Sequence, residues 1–252
     1  MKIQNSITIT VRAIALSGAF SLLGGLGAQA AFTALPPGTP ETPGVAVPTA
    51  AAGEVIGTVV ASRAANFADT GTPPPVNTGI LNSLVVNRGG GLLDFYYQVV
   101  NTSNPGAPLD LDEIFRIKSI GGFLGVAGVQ ISQTNSIAGL IGAPVLPVGV
   151  EGASTADRDV GSPGSIGFDF SAPPAFFPDA SNVGGGEASS FLIVRTNSTQ
   201  FGDVLAQISG GGGTSTASTF GAVPEPGSMV FGLGILGVCF LRNRKSQASR
   251  AA

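Results

Sequence analysis

The chain has no histidine and no tryptophan, one cysteine, two tyrosines and only 11% charged residues in 252. Without imidazole there is no Ser-His-Asp or Cys-His arrangement. Zinc and copper lose their commonest ligand as well, which leaves oxygen-bound cations as the only plausible metals. The single thiol, Cys239, rules out an intrachain disulfide and a thiolate metal site. With no tryptophan and two tyrosines, aromatic platforms for sugar rings are few. The same scarcity disfavours an outer-membrane β-barrel, which needs aromatic girdles at both interfaces.

What is abundant is glycine (38) and proline (18), together with 43% hydrophobic residues. Both glycine and proline disfavour helix interiors, and the length suits one core with tails. The expectation is one all-β domain. Charge is unevenly placed. All fifteen acids lie between Glu41 and Glu225, where the bases are Arg63, Arg88, Arg116, Lys118, Arg158 and Arg195. An acidic body without a basic patch excludes nucleic acid as a partner. The remaining bases flank that body, where they act as topological signals.

The N-terminus has Lys2 and Arg12, an apolar stretch from Ala13 to Leu26, and then Ala28-Gln29-Ala30. A basic region, a short apolar core and an A-x-A-like site are the parts of a secretory signal peptide. Residues 1–30 are therefore read as a signal helix handled by the Sec translocon and signal peptidase, with Ala28 and Ala30 at the cleavage site and Ala31 as the mature N-terminus. At the other end, Pro224 and Pro226 hold Glu225 extended. A charge-free run from Ser228 to Leu241 follows, then Arg242, Arg244 and Lys245. The run is short of the roughly 20 residues that span a bilayer, and the bases act as a stop on the cytoplasmic side.

Val223-Pro224-Glu225-Pro226, the apolar run and the basic end together resemble the PEP-CTERM sorting signal of Gram-negative bacteria. Weaker similarity to cyanobacterial proteins of that kind lies in LDFYYQVVN and FLIVRTNSTQF. The resemblance implies recognition of the tail by exosortase, a membrane-embedded cysteine protease or transpeptidase. It also implies transient anchoring in the inner membrane and delivery to the cell surface or extracellular polymer matrix. No activity is implied for the body.

Between the signals, residues 31–53 hold five prolines and read as a linker, and 54–209 read as the β body. LLDFYYQVVN (92–101) alternates, with Leu93, Phe95, Tyr97 and Val99 on one face and Asp94, Tyr96 and Gln98 on the other, as in a half-buried strand. ILNSLVVN (80–87) precedes it across Arg88-Gly89-Gly90-Gly91, a hairpin signal. Further candidates are 54–63, 114–120, 124–131, 166–170, 190–196 and 203–209. Eight or nine short strands point to an antiparallel β-sandwich or jelly roll, and no internal repeat supports a solenoid or propeller. Residues 210–222 read either as a Gly/Ser/Thr linker or as a last strand reaching 220.

For a ligand, the acids Asp110, Asp112, Glu113, Asp157 and Asp159 are candidates for a surface Ca²⁺ site, without the loop spacing of an EF-hand. Tyr96 is a candidate contact residue or an ordinary sheet aromatic. Asn101 and Asn197 open N-x-[ST] triplets that read as loop residues. No catalytic residue and no cofactor is assigned. The expected function is non-enzymatic, structural or adhesive, with exopolysaccharide or other matrix components as partners. The alternative is a surface carbohydrate-binding module, calcium-dependent or not, or a carbohydrate-active enzyme carrying the same tail.

Overall fold

The computed structural model of the protein describes residues 32–41, 43–69, 77–103, 114–149, 151–161, 164–170, 182–211 and 213–223. Within them the chain is all-β, with one 3₁₀ turn at Ala52–Glu54. The strands are β1 (Thr33–Ala34), β2 (Val45–Ala46), β3 (Gly57–Ala68), β4 (Thr78–Asn87), β5 (Leu93–Asn101), β6 (Ile114–Ile120), β7 (Gln130–Thr134), β8 (Leu140–Ile141), β9 (Thr155–Arg158), β10 (Ile166–Asp169), β11 (Phe191–Arg195), β12 (Phe201–Gly210) and β13 (Gly213–Ala222). One sheet has the order β1-β7-β11-β5-β4-β3-β8 and the other β13-β12-β6-β10-β9-β2. Pairing is antiparallel apart from β3 with β8. The two sheets face each other across one core in a sandwich-like arrangement.

The β4–β5 hairpin forms where the sequence places it, with Leu84 opposite Tyr96 and Asn87 opposite Leu93. Its turn needs three consecutive residues with positive φ, which Gly89, Gly90 and Gly91 supply at 114°, 64° and 80°. The core-facing residues of β5 behave as the alternation predicts. Phe95, Tyr97 and Val99 pack with Leu81, Val85, Leu192 and Val194 of their own sheet against Ile117, Phe168, Ala206, Ile208 and Ala217 of the other. Phe95 meets Phe123 edge to face, with ring centroids 5.6 Å apart. Each such side chain contributes about 1.5–3 kcal/mol when fully buried. Tyr97 also donates its hydroxyl to the Phe220 carbonyl at 2.7 Å, a polar tie between the sheets.

The half-buried reading of β5 does not hold. Its second face is covered too, because a strap over residues 135–149 crosses the outside of the sheet. Leu84, Val86, Tyr96, Phe191 and Ile193 form a second small core there with Ile137, Leu140, Ala50 and Val55. Gln98 pins the strap by donating to the Pro147 carbonyl at 2.8 Å.

The stretch read as a linker, 31–53, also differs over its described part. It carries β1 and β2, buries Leu35 and Val47, and bonds to both sheets: Leu35 N–H to Val129 O at 2.9 Å, Val47 N–H to Ser154 O at 3.2 Å, Ala50 N–H to Gln133 O at 2.7 Å. Proline favours extended backbone but cannot continue a ladder. A proline-rich segment therefore makes two-residue strands at sheet edges. Single bridges at Thr49–Gln133 and Thr39–Arg158 extend the same capping. Residues 124–129, read as part of a strand, instead form turns around Gly125 and Gly128 (φ 72° and 65°), and β7 starts only at Gln130. Of the two readings of 210–222, the strand is the one that forms, paired in unbroken register with β12 from Phe201–Ala222 to Gly210–Gly213.

Two arginines tie these parts together. Arg158 is 2% exposed and donates to three carbonyls, Leu35 O at 3.1 Å, Phe123 O at 2.8 Å and Val126 O at 2.6 Å, so one guanidinium joins the N-terminal arm to the 123–126 turn. Burial lowers its pKa. Arg63 of β3 reaches across β13, donating to Ser218 Oγ at 3.1 Å and to Thr219 O at 3.4 Å. It lies 4.5 Å over the Phe220 ring and ends on Asp203 at 2.8 Å. Hydrogen bonds to a charged donor contribute about 1.5–3 kcal/mol, and a buried acceptor left unpaired costs about as much. Arg158→Met is accordingly expected to lower unfolding free energy by about 3 kcal/mol and to open residues 33–41 to proteases. Arg63→Ala, at a half-exposed ion pair, should cost about 1 kcal/mol or less. Denaturant midpoints with limited proteolysis check both.

Candidate functional site

The terminal residues singled out in the sequence (Ala28, Ala30, Ala31, Pro224, Glu225, Pro226, Arg242, Arg244 and Lys245) lie outside the described residues, as do Asp110, Asp112 and Glu113. Asp157 and Asp159 are described, and both carboxylates are committed to protein partners. Asp157 is in ion contact with Arg116, and Asp159 accepts a hydrogen bond from Ser165 Oγ at 2.6 Å. Among the described residues no group of three or more His, Cys, Asp or Glu is placed to hold a metal ion, and no helix is long and apolar enough to cross a membrane. Asn101 is buried, donating to Val183 O at 2.9 Å and accepting from Ser103 N–H at 3.0 Å, so its amide faces the protein. Asn197 is exposed.

Two charged constellations went unread in the sequence. On the outer face of the β5-containing sheet, Asp94 has no exposed side-chain surface and sits between Arg88 Nε at 3.1 Å and Arg195 Nε at 3.0 Å. Register explains it: Arg195 is directly opposite Asp94 across β11 and β5, and Arg88 enters from the hairpin turn. Arg195 stacks on Phe32 at 3.6 Å, and Arg88 donates to Thr196 O at 3.0 Å. Burial raises the Asp94 pKa, while Arg195 and then Arg88 pull it back down. The readable signal was an aspartate inside a strand of aromatic and aliphatic residues, which requires a buried cationic partner.

On the outer face of the other sheet Arg116 gathers Asp157, Asp169 at 3.2 Å and Glu41 at 3.6 Å. The arginine comes from β6, and Asp169 and Asp157 come from β10 and β9. Gly167 lies between them, and a Cβ there would run into both Asp157 and Arg116. The glycine therefore lets the guanidinium reach across β10. Burial raises the Asp157 pKa, with Arg116 opposing it. Both constellations join separate strands through a carboxylate–guanidinium contact. Breaking one partner of such a buried pair costs about 3–5 kcal/mol, so their evident chemical role is to lock strand ends.

A third feature is concave. The strap and Phe191 line an open hollow of about 290 Å³, with Ile137, Leu140, Ala143, Val145 and Leu146 as its apolar members and Asn135 and Ser136 as polar ones. Val145 and Val148 stand out into solvent at its rim. None of its described lining residues is charged. The comparisons with known proteins add nothing to this geometry: no family model matches the chain, and no curated protein and no solved structure matches it.

Tyr96, which the sequence offers as a candidate contact residue, faces the second core and is 1% exposed, its hydroxyl without a hydrogen-bond partner. Burial raises the pKa of both tyrosines above the ordinary value of 10.0, with Asp94 adding to the effect at Tyr96. A phenol whose pKa is higher in the folded than in the unfolded state leaves stability unaffected below the unfolded value and removes it as pH rises beyond. Because Tyr96 and Tyr97 are the only tyrosines, phenolate absorbance should stay flat up to the ordinary value of 10.0. It should then rise in one step together with loss of far-UV circular dichroism. A separate titration at that ordinary value in folded protein would contradict the burial of one ring.

Proposed function

We propose that the chain is an exported protein, sorted by exosortase to the cell surface or extracellular polymer matrix, where its β domain has a non-enzymatic structural or adhesive role. The observation that carries the reading is the ordered C-terminal set in the sequence, Pro224-Glu225-Pro226, the apolar run to Leu241, and Arg242, Arg244 and Lys245, combined with the signal-peptide pattern ending at Ala30. In this reading a signal helix and a short membrane helix flank a β-sandwich and are both removed during export.

The body supports the reading in two ways. Its last strand runs to Ala222, and Val223 N–H is fastened to Gln200 O at 3.1 Å, so the β domain remains ordered up to the residue before Pro224. Three described carboxylates on the outer faces of the two sheets, Asp94, Asp157 and Asp169, are held by arginines.

Intact mass and terminal peptide mapping of the protein from surface and culture fractions test the proposal, comparing the native host with an exosortase-deficient strain. The expected mature form begins at Ala31 and ends near Pro224 to Pro226 in the native host alone. A tail intact to Ala252 in both strains would sink the sorting reading. Glu225→Ala should alter processing or retention while leaving the melting temperature of the body unchanged.

A further inference from the structure

The two sheets have four edges, and three end in two-residue strands: β1 and β8 on one sheet, β2 on the other; β8 covers only Gly57 and Thr58 of β3, and the rest of that edge carries a bulge at Val59–Ala61 and the charge of Arg63. Short edge strands and adjoining prolines are the usual protection against unwanted pairing. The fourth edge is β13, ten residues long, with no charge, no proline and no bulge in its ladder with β12. Among the described residues no strand pairs with its free side. Over residues 213–217 no hydrogen bond from a described residue outside the β12–β13 hairpin reaches its main chain, and the Arg63 contacts begin only at Ser218.

We propose that β13 pairs with β13 of a second copy, antiparallel about a two-fold axis at Ser215, so that the two β12–β13 sheets become one continuous sheet. The occupant follows from the chemistry of the edge. An uncharged strand meets its own copy without like-charge repulsion, and a two-fold makes each contact occur twice. A two-fold perpendicular to the sheet keeps exposed residues opposite exposed ones. On the exposed face are Thr214 and Thr216, and on the buried face Ser215. Centred on Ser215, Thr214 meets Thr216 of the second copy and Ser215 meets its equivalent. Cross-strand hydroxyl pairs of this kind favour association. Gly213 then meets Ala217, both free of bulk. This register uses the stretch that Arg63 leaves open. Moving the axis one residue toward the C-terminus would bring Thr214 against Ser218 of the second copy, where the guanidinium already sits.

Disulfide trapping in the full chain tests the pairing and its register together. In a Cys239→Ser background, Thr214→Cys and Thr216→Cys are made as separate, differently tagged chains. Both positions are exposed, so folding is not at stake. Co-expressed and mildly oxidised, they are expected to form a reducible mixed dimer at least fivefold above the level seen when either is paired with Ser136→Cys, an exposed strap position. Each expressed alone should remain unlinked. Thr216→Lys should abolish trapping at Ser215→Cys, and pairing it with Thr214→Glu in the second chain should restore it. A mixed dimer no more abundant than the strap control overturns the proposal. Equal self-linking of Thr214→Cys and Thr216→Cys overturns the register and with it the two-fold at Ser215.

Discussion

Guanidinium groups hold this domain together at the points where strands end. The body has five arginines, Arg63, Arg88, Arg116, Arg158 and Arg195, and each joins segments distant in sequence. Arg158 ties the N-terminal arm to the 123–126 turn, Arg116 spans β6, β9 and β10, and Arg88 and Arg195 close on one buried aspartate. Lys118, the remaining base, is exposed. The division follows from chemistry: a planar group with five fixed donors serves several acceptors at once and gives up its hydration more readily than an ammonium does. In a chain with a single cysteine, these contacts occupy the place that cross-links would take.

That reliance on arginine also shapes the surface. Asp157, one of the carboxylates that the sequence offers as a cation ligand, is a partner that Arg116 needs. Asp157 illustrates the competition: it cannot serve Arg116 across Gly167 and remain an open ligand for a cation. Among the described residues two surfaces are poor in charge. They are the strap with its hollow and the hydroxyl-bearing hairpin.

Strands with strong alternation and β-branched or aromatic residues were legible in the sequence. β4, β5, β6, β10, β11 and β12 fall within a few residues of where the pattern puts them. β1, β2 and β8 were not, because a two-residue strand has no period, and its existence depends on a neighbour's unpaired edge. The outer burial of β5 was hidden for a related reason. Its cover, residues 135–149, is rich in Gly and Pro and reads as a loop, so Asp94 and Tyr96 looked like a solvent face. The parity that put them on one side of the strand was right, while the identity of what lay over them depended on tertiary packing. The terminal patterns that carry the functional reading are sequence features lying outside the described residues.

The way the body ends has a mechanical side. Val223 leaves directly from β13, which is hydrogen-bonded along its length to β12 in ten residue pairs. Tension on the C-terminus directed along the strand acts on that ladder in shear, so its bonds resist together rather than opening one after another. A pull perpendicular to the strand would instead peel β13 from Ala222 inward, with Arg63 as an early point of resistance. Under load the domain is thus stiff in one direction and compliant in another, and the direction of the pull decides which response prevails.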